Sequence, residues 1–272
     1  MIANLFSLKN KVIVVTGGTG LLGTAFVNAI ANANATVVII ARNESNCQQI
    51  ADTINCNEGH AMGIGADVMN EKQLLLAKDK IIEKFGTIDG LVNAAGGNIP
   101  EAIIPADADI FNLNIEQIKK VMELNCIGTI LPTQIFGRVM AKNGSGSIVN
   151  ISSISTKTVL TKVLGYSIAK AAVDMYTKWM AVEVANRYGD GIRINTIVPG
   201  FFLAEQNKAL LINTDNTLTQ RGNNIIKNTP FKRFGNATEL QGALIYLLSD
   251  ASKFVTGSEI IVDGGFSKFS GV

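Results

Sequence analysis

The first part of the chain contains a pattern of strand, glycine turn, helix and strand that few folds can accommodate. Residues 11–16 and 36–41 are short apolar runs of the kind expected for strands buried on both faces. Between them, a glycine-rich turn at 17–23 leads into a segment of helical periodicity at 24–33. Glycines let a backbone approach a pyrophosphate, and a helix N-terminus offers free N–H groups to it. The pattern predicts a dinucleotide-binding unit.

Strands and helices continue to alternate along the rest of the sequence. Apolar runs predict further strands at 61–66, 88–92, 147–151, 192–198 and 259–262. Helical periodicity predicts helices at 71–85, 115–142, 169–184 and 240–248, whereas 201–235 is polar and irregular. Such alternation predicts an α/β fold, a Rossmann-type doubly wound parallel sheet of about seven strands. We expect one domain spanning residues 1–272.

The candidate functional residues fall where the predicted strands end. In doubly wound sheets, ligands bind beyond the carboxyl ends of the strands. Five strands end in turn or polar residues: Gly17–Gly23, Asp67, Asn93–Gly97, Ser153 and Pro199–Gly200. Their convergence predicts a single site at one edge of the sheet.

Composition excludes several classes of partner. The net charge is only +2 and there is no basic block, so we expect neither nucleic acid nor a membrane as partner. The N-terminus lacks the basic start of a signal peptide, and the uncharged stretch 12–41 is broken by glycines and asparagines, which favours a cytoplasmic protein. Cys47, Cys56 and Cys126 have no ligand spacing, so we expect buried free thiols and no metal.

Tyr166 and Lys170 are the candidate working pair. They are four positions apart in a segment predicted to be helical, so their side chains share a face. A free Tyr titrates near 10, and a neighbouring ammonium favours its phenolate. Ser153, at the end of a strand, could hold a substrate oxygen while the Tyr exchanges the proton. A Tyr and a Lys at this spacing often only form part of a half-exposed helix face. The hypothesis that this pair is catalytic therefore depends on the strand-end residues predicted to lie near it.

The end of the second strand bears on the choice of coenzyme. An acid there would hold the 2′-hydroxyl of NAD. The sequence instead has Ala41 followed by Arg42, and a cation without an acid favours the 2′-phosphate of NADP. NAD stays open, because Arg42 could equally be solvated or paired with Glu44.

These motifs resemble the short-chain dehydrogenase/reductase family over nearly the whole chain. The matching positions are Thr16-Gly17 to Gly23, Asn93-Ala-Ala-Gly96, Asn125, Ser153, Tyr166, Lys170 and Pro199-Gly200. The resemblance implies NAD(P)-dependent carbonyl–alcohol chemistry with Tyr166 as general acid/base, Ser153 polarising the carbonyl, Lys170 binding the nicotinamide ribose, and Asn125 holding a relay water. The turn departs from the compact members, since Gly20 stands one place earlier and Leu21 occupies the usual glycine position. The implied coenzyme-binding residues are Gly17, Thr19, Gly20, Leu21, Leu22, Gly23, Arg42, Asp67, Val68, Asn93, Ala94, Gly96, Tyr166, Lys170, Pro199, Gly200 and Phe202.

A narrower resemblance concerns the substrate. Gly96-Gly-Asn98, Leu131-Pro-Thr-Gln134, Pro199-Gly-Phe-Phe-Leu203 and the tail Gly264-Gly-Phe-Ser267 are similar to the D-mannonate oxidoreductase branch. This implies a sugar acid, with Lys157 and Lys162 as candidates for its carboxylate or as plain solvated lysines. Asn98, Ser153, Gln206 and Asn207 are candidates for the remaining substrate contacts, and residues 201–228 for a lid.

Two other functions stay open. A 3-oxoacyl-[acyl-carrier-protein] reductase shares the catalytic residues but would need a basic docking surface, and no such cluster stands out in the sequence. A dinucleotide-sensing protein without activity would be expected to have lost the Tyr or the Lys, and both are present. The family resemblance also implies a homo-tetramer.

Overall fold

A parallel sheet forms the centre of the molecule. The computed structural model describes residues 2–105, 107–203, 208 and 210–271. The strands within them are β1 (Val12–Thr16), β2 (Thr36–Ala41), β3 (His60–Gly65), β4 (Gly90–Asn93), β5 (Gly146–Ile151), β6 (Ile192–Pro199) and β7 (Glu259–Val262). They form a seven-stranded sheet in the order β3-β2-β1-β4-β5-β6-β7, and each neighbouring pair is parallel. The predicted Rossmann-type doubly wound sheet is confirmed.

Helices cover both faces of this sheet. Those described are α1 (Ile2–Leu5), α2 (Leu21–Asn32), α3 (Glu44–Cys56), α4 (Glu71–Phe85), α5 (Ile115–Met122), α6 (Gly128–Asn143), α7 (Leu164–Tyr188), α8 (Gln220–Asn228) and α9 (Gln241–Leu248). One core layer packs α2, α3 and α9 against the sheet through Phe26, Ala51 and Leu244. The other layer packs α4, α6 and α7 through side chains such as Leu74 and Phe136. Successive side chains of a strand point to opposite faces, so both layers draw on the same buried strands.

Local signals explain why several boundaries agree with the sequence. The Asn70 side chain accepts a hydrogen bond from Gln73 N at the start of α4, and Gly86 ends this helix with a φ of 76°. Asn43 caps α3 in the same way by accepting from Asn46 N. Such caps are local, which is why α4 spans the predicted 71–85.

The helix predicted over 115–142 is interrupted. A π-helical segment, Glu123–Ile127, lies between α5 and α6. Pro132 follows in the first turns of α6, where it has no N–H to donate to the ladder. The segment also contains Asn125, whose side chain bonds to a distant loop. Segments of this type occur frequently at functional sites.

Two smaller expectations need correction or lie outside the structure. Cys47 is buried, but Cys56 is exposed and Cys126 half-buried, because Cys56 is the last residue of α3 and faces solvent. The sequence predicted burial for all three. Gln206 and Asn207 lie outside the described residues, as does part of the predicted lid at 201–228.

Candidate active site

A row of polar residues crosses the sheet at the ends of its central strands. Thr16 of β1 is the register partner of Asn93 in β4, which pairs in turn with Asn150 of β5. Asn150 is then the partner of Thr196 in β6. All four are buried, with at most 1% of their surface exposed. Apolar strands thus end in a polar edge, as the sequence predicted.

The side chains of Asn93 and Asn150 connect this edge of the sheet to α6 and α7 by hydrogen bonds. Asn93 Nδ2 donates to Asn150 Oδ1 at 2.8 Å and to Thr133 Oγ1 at 2.9 Å. Asn150 Nδ2 donates to Thr177 Oγ1 at 2.8 Å. The Asn93 side-chain nitrogen is therefore occupied in holding β4, β5 and α6 together, although this residue was expected to contact a coenzyme. Buried amides in a connected network rigidify the elements that carry them.

The glycine turn after β1 is packed too closely for side chains. A Cβ on Gly17, whose φ is 66°, would lie 2.7 Å from Ala95 Cα. A Cβ on Gly23 would lie 2.0 Å from Gly17 O. Among the described residues, a Cβ on Gly20 would meet only Gly17 O within 4 Å, at 3.4 Å. The turn is therefore tight against β4 and α2 and open on the side of Gly20.

The start of α2 fits the pyrophosphate of a dinucleotide. Gly20 is its N-cap and, within the part of the chain that the structure describes, makes no side-chain capping bond. The first turn has no acidic residue, and Leu21 is 45% exposed. Free N–H groups and the positive end of a helix dipole, beside a turn without side chains, form an anion-binding site.

Asn125 holds the loop after β4. Its Oδ1 accepts a hydrogen bond from Gly97 N at 2.9 Å, and its Nδ2 donates to Gly97 O at 2.8 Å and to Val121 O at 2.8 Å. A Cβ on Gly96 would lie 2.6 Å from Asn125 Oδ1 and 3.4 Å from Lys170 Nζ. Gly96 thus lies between Asn125 and Lys170, and only glycine fits there.

Ser153, Tyr166 and Lys170 meet beside this loop. The Ser153 hydroxyl hydrogen-bonds the Tyr166 phenol and accepts from Ser155 N at 3.2 Å. Tyr166 and Lys170 both lie on α7, and Lys170 Nζ is 5.7 Å from the centroid of the Tyr166 ring. Lys170 is 4% exposed, and its Nζ donates to Ile151 O at 2.8 Å. The structure therefore brings together the four residues expected to be catalytic.

Burial dominates the titration of this pair. It lowers the pKa of Lys170 to about 8, against the carboxylate of Asp174, which raises it. Burial raises the pKa of the Tyr166 phenol, and the Ser153 hydrogen bond lowers it in part. The expected lowering of the Tyr166 pKa is thus opposed by desolvation of the phenolate.

The other expected coenzyme contacts differ in exposure. Arg42 is exposed just beyond β2, whereas Thr19, Leu22 and Asp67 are half-buried. Gly200 N donates to Val262 O at 2.8 Å, which places the Pro199–Gly200 turn beside β7. Phe202 is 7% exposed and packs in the core against Gly235, so its ring faces inward rather than towards a ligand. Two further expected coenzyme contacts also follow strands. Val68 is buried after β3, and Ala94 is half-buried after β4.

Lys157 is not available to a substrate. Its Nζ lies 2.8 Å from Asp174 Oδ2 and 2.6 Å from Glu259 Oε2. Burial would lower the pKa of Lys157, but these two carboxylates raise it above its ordinary value. The sequence expectation of a substrate carboxylate at Lys157 is therefore not supported, because two acids of the protein itself neutralise the ammonium.

Lys162 and Asn98 remain candidates for substrate contact. Lys162 is exposed in the loop before Tyr166, with a φ of 74°. Its carbonyl accepts a hydrogen bond from Ile104 N at 3.0 Å, which connects this loop to the one after β4. Both polar side-chain atoms of Asn98 are buried and have no hydrogen-bond partner among the described residues. Buried amides without partners are costly, so Asn98 stays a candidate for ligand contact.

Several residues of the site were missed by the sequence analysis. Asp174, 6% exposed on α7, bonds Lys157 and raises the pKa of Lys170. Its position four residues after Lys170, on the same helix face, was a signal that could have been used. The roles of Asn150 and Thr177 had no local signal, because their hydrogen bond joins distant parts of the chain.

The described residues contain neither a cluster of possible metal ligands nor a membrane-spanning helix. Among the described residues, no three His, Cys, Asp or Glu side chains cluster as metal ligands would. Nor, in that part of the chain, is any helix both long and apolar enough to span a bilayer.

The fold and the residues at this sheet edge together define the class of protein. It is an oxidoreductase that binds a nicotinamide dinucleotide.

Known proteins place the chain within this class. A family model described as enoyl-(acyl carrier protein) reductase matches residues 20–267. The uncharacterized oxidoreductase UxuB of Bacillus subtilis is 40% identical over 275 residues, covering 98% of both chains. The chain therefore belongs to the short-chain dehydrogenase/reductase family and is an NAD(P)-dependent oxidoreductase that acts on CH–OH groups.

Solved structures of relatives agree over the full length. A protein of Haemophilus influenza, provisionally described as a D-mannonate oxidoreductase and containing bound NAD, is 39% identical, covers 100% of both chains and has a TM-score of 0.90. A gluconate 5-dehydrogenase of Burkholderia cenocepacia, in complex with NADP and tartrate, is 32% identical, with a TM-score of 0.87 and coverage of 98% and 99%. These relatives bind NAD in one case and NADP in the other.

Proposed function

We propose that this oxidoreductase interconverts a ketone and a secondary alcohol on a sugar acid of the D-fructuronate and D-mannonate type. The reaction type is supported by one observation, the proximity of the Ser153 hydroxyl, the Tyr166 phenol and the Lys170 ammonium. The sugar acid is supported by the 39% identity, over the whole chain, to the Haemophilus protein described above.

Tyr166 is the proposed general acid/base. In the direction of reduction, its phenol gives a proton to the substrate oxygen, and in oxidation the phenolate takes that proton back. When bound, the nicotinamide dinucleotide supplies the hydride that completes the alcohol. The Ser153 hydroxyl bonds the Tyr166 phenol before the substrate binds, and its O–H is proposed to turn to the substrate oxygen once that oxygen lies between the two residues.

Lys170 and Asn125 are proposed to support this proton transfer. With a pKa of about 8, Lys170 is mostly protonated at neutral pH, and its positive charge stabilises the Tyr166 phenolate. Asn125 Oδ1 accepts one bond from Gly97 N and has a second lone pair. That lone pair could accept a hydrogen bond from a relay water, as the family resemblance implies.

NADP is the proposed coenzyme. Its pyrophosphate would lie on the start of α2, against Gly17, Thr19, Gly20, Leu21, Leu22 and Gly23. Arg42 is exposed next to Ala41, where an acid would hold the ribose hydroxyls of NAD, and its guanidinium suits a 2′-phosphate. The further proposed contacts are Asp67, Val68, Asn93, Ala94, Gly96, Tyr166, Lys170, Pro199 and Gly200, whereas Phe202, whose ring packs in the core, is left out.

We also propose a cytoplasmic homo-tetramer, in which residues 1–272 of each copy form one domain with a substrate lid at 201–228. Met175, Trp179 and Val182 of α7 are 65%, 58% and 59% exposed in the single chain. Side chains at this spacing share a helix face, and an apolar face of this kind fits a second copy of the chain. Light scattering on the wild type and on Trp179→Glu tests the assembly, since the variant should dissociate.

The substrate is tested by measuring NADPH and NADH oxidation with D-fructuronate and, separately, with an acetoacetyl thioester. We expect turnover of D-fructuronate, faster with NADPH, and little turnover of the thioester. Turnover of the thioester alone would contradict the sugar-acid proposal and favour fatty-acid synthesis.

A further inference from the structure

Arg221 is a half-buried cation without an acidic partner in the part of the chain that the structure describes. It lies in the first turn of α8. Its Nη1 is 3.4 Å from Thr161 Oγ1 and its Nη2 is 3.5 Å from Thr161 O. Both distances are at the long limit for hydrogen bonds, so most of the donor capacity of the guanidinium is unused.

The position of Arg221 is unfavourable for the protein alone. The start of a helix carries the positive end of its dipole, which repels a cation, and the first turn of α8 has no acidic residue. Burial also lowers the pKa of Arg221, and no carboxylate among the described residues offsets this effect. By contrast, Arg233 makes two short bonds to Glu239, at 2.7 and 2.6 Å. A desolvated, unpaired guanidinium indicates an anionic ligand.

Arg221 faces the loop that leads into the catalytic helix. Thr161 lies between Ser153 and Tyr166, and the neighbouring Lys162 carbonyl accepts from Ile104 N. The loop after β4, which carries Asn98, therefore contacts the same segment from another direction. Arg221 and the loop that carries Asn98 thus both contact the segment between Ser153 and Tyr166.

We propose that Arg221 binds the carboxylate of the substrate through its guanidinium fork, with Asn98 bonding a substrate hydroxyl. This inference rests on the proposed sugar-acid function and gives that function its recognition residue. Arg221 thereby takes the role of carboxylate ligand, for which Lys157 was a candidate in the sequence analysis. The charge of Lys157 is neutralised by Asp174 and Glu259. A planar fork matches a carboxylate in two parallel hydrogen bonds, which a lysine cannot reproduce.

The first test compares Arg221→Gln with Lys227→Gln, which removes a positive charge from the exposed side of the same helix. For D-fructuronate, we expect Arg221→Gln to lower kcat/KM between about tenfold and 100-fold, mainly through KM, as expected for charge-assisted hydrogen bonds. D-Fructose has a hydroxymethyl group in place of the carboxylate, so its poorer turnover should be unchanged. Lys227→Gln should match the wild type with both ketones. An unchanged KM for D-fructuronate in Arg221→Gln would overturn the inference and leave the proposed function standing.

The second test does not depend on turnover. Calorimetry measures tartrate binding to the NADPH-loaded wild type, Arg221→Gln and Arg221→Lys. We expect at least tenfold weaker binding in Arg221→Gln and partial recovery in Arg221→Lys, with NADPH affinity the same in all three. If the wild type fails to reduce D-fructuronate but binds tartrate through Arg221, the proposed substrate is wrong and the carboxylate site stands. If tartrate binds equally to all three or to none, the carboxylate site is wrong.

Discussion

The two sides of the candidate site are built differently. On the strand side, Asn93 and Asn150 are buried and bond each other at 2.8 Å, and the buried Asn125 accepts from Gly97 N at 2.9 Å. On the loop side, Arg221 makes only contacts of 3.4 and 3.5 Å, and Asn98 has no partner among the described residues. On the strand side most of these amide groups are bonded within the protein, although Asn93 Oδ1 and Thr196 Oγ1 have no partner among the described residues. On the loop side, the Arg221 guanidinium and the Asn98 amide keep most of their hydrogen-bonding capacity for a ligand.

This difference separates chemistry from recognition. Proton transfer needs groups held to within a fraction of an ångström, which packed strands and helices provide. Substrate choice needs polar groups that are unpaired until the substrate arrives, and loops on a rigid scaffold provide them. Changes on the strand side should therefore reduce kcat, and changes on the loop side should alter KM and specificity.

The largest expected effect is that of Tyr166→Phe. Removing the phenolic oxygen removes the proton donor without changing the ring that packs near Lys170. We expect kcat to fall by about 1000-fold or more, within the range of general acid–base catalysis combined with lost orientation. NADPH affinity, measured by fluorescence titration, should stay nearly the same. Retention of more than a few per cent of the activity would mean that another group transfers the proton.

Gly96→Ala should have the second-largest effect on kcat. Its Cβ would meet Asn125 Oδ1 at 2.6 Å, at a φ of 147° that side chains rarely adopt. Displacing Asn125 and Lys170 by this contact should lower kcat about 100-fold. Gly144→Ala is the matched control, because it also has a positive φ, 71°, but nothing within 4 Å of the new Cβ. It should cost about 1 kcal/mol of unfolding free energy and leave kcat unchanged. Equal kcat values for both variants would show that the Gly96 contact has no role in positioning.

Much of the strand side could be predicted from sequence, because its signals are local. Apolar runs located the strands, helical periodicity located α4, and a spacing of four placed Tyr166 and Lys170 on one helix face. The glycine turn was recognisable because glycine is needed wherever a backbone approaches another closely.

The rest depends on contacts between distant parts of the chain. The π-helical segment forms where Asn125 bonds Gly97, which is 28 positions away. Lys157 was a candidate either for the substrate carboxylate or for a plain solvated lysine, but it pairs with Glu259 of β7, which no local pattern connects to it. Arg221 was missed because it is conspicuous only through its burial and its lack of an acidic partner.

Arg42→Asp should have a smaller effect, on the choice of coenzyme. An acid after β2 would repel the 2′-phosphate of NADPH and accept hydrogen bonds from the ribose hydroxyls of NADH. We expect the ratio of kcat/KM for NADPH to that for NADH to fall by about tenfold, which corresponds to about 1.4 kcal/mol. Steady-state kinetics with saturating D-fructuronate measures this ratio. An unchanged ratio would mean that Arg42 does not meet the phosphate.

The smallest expected effect is a shift in pH dependence. Reduction should be constant below about pH 8 and decline above it, as Lys170 loses its proton. The Asp174 carboxylate raises the pKa of Lys170, so Asp174→Asn should lower that pKa and move the decline to lower pH. Glu259→Gln, which removes the other partner of Lys157, is the control and should leave the decline in place. If the decline in Asp174→Asn stays in place or moves to higher pH, the Asp174 carboxylate does not raise the pKa of Lys170.

The central claim is that this sheet edge reduces a ketone on a sugar acid by hydride and proton transfer. The most direct measurement is mass spectrometry of the product formed by the wild type from D-fructuronate and NADPH that carries deuterium in place of both hydrogens at the nicotinamide C4. We predict one deuterium at the carbon that was the ketone, with none on the oxygen after exchange into water. Product without deuterium, or with deuterium at another carbon, would contradict the claim.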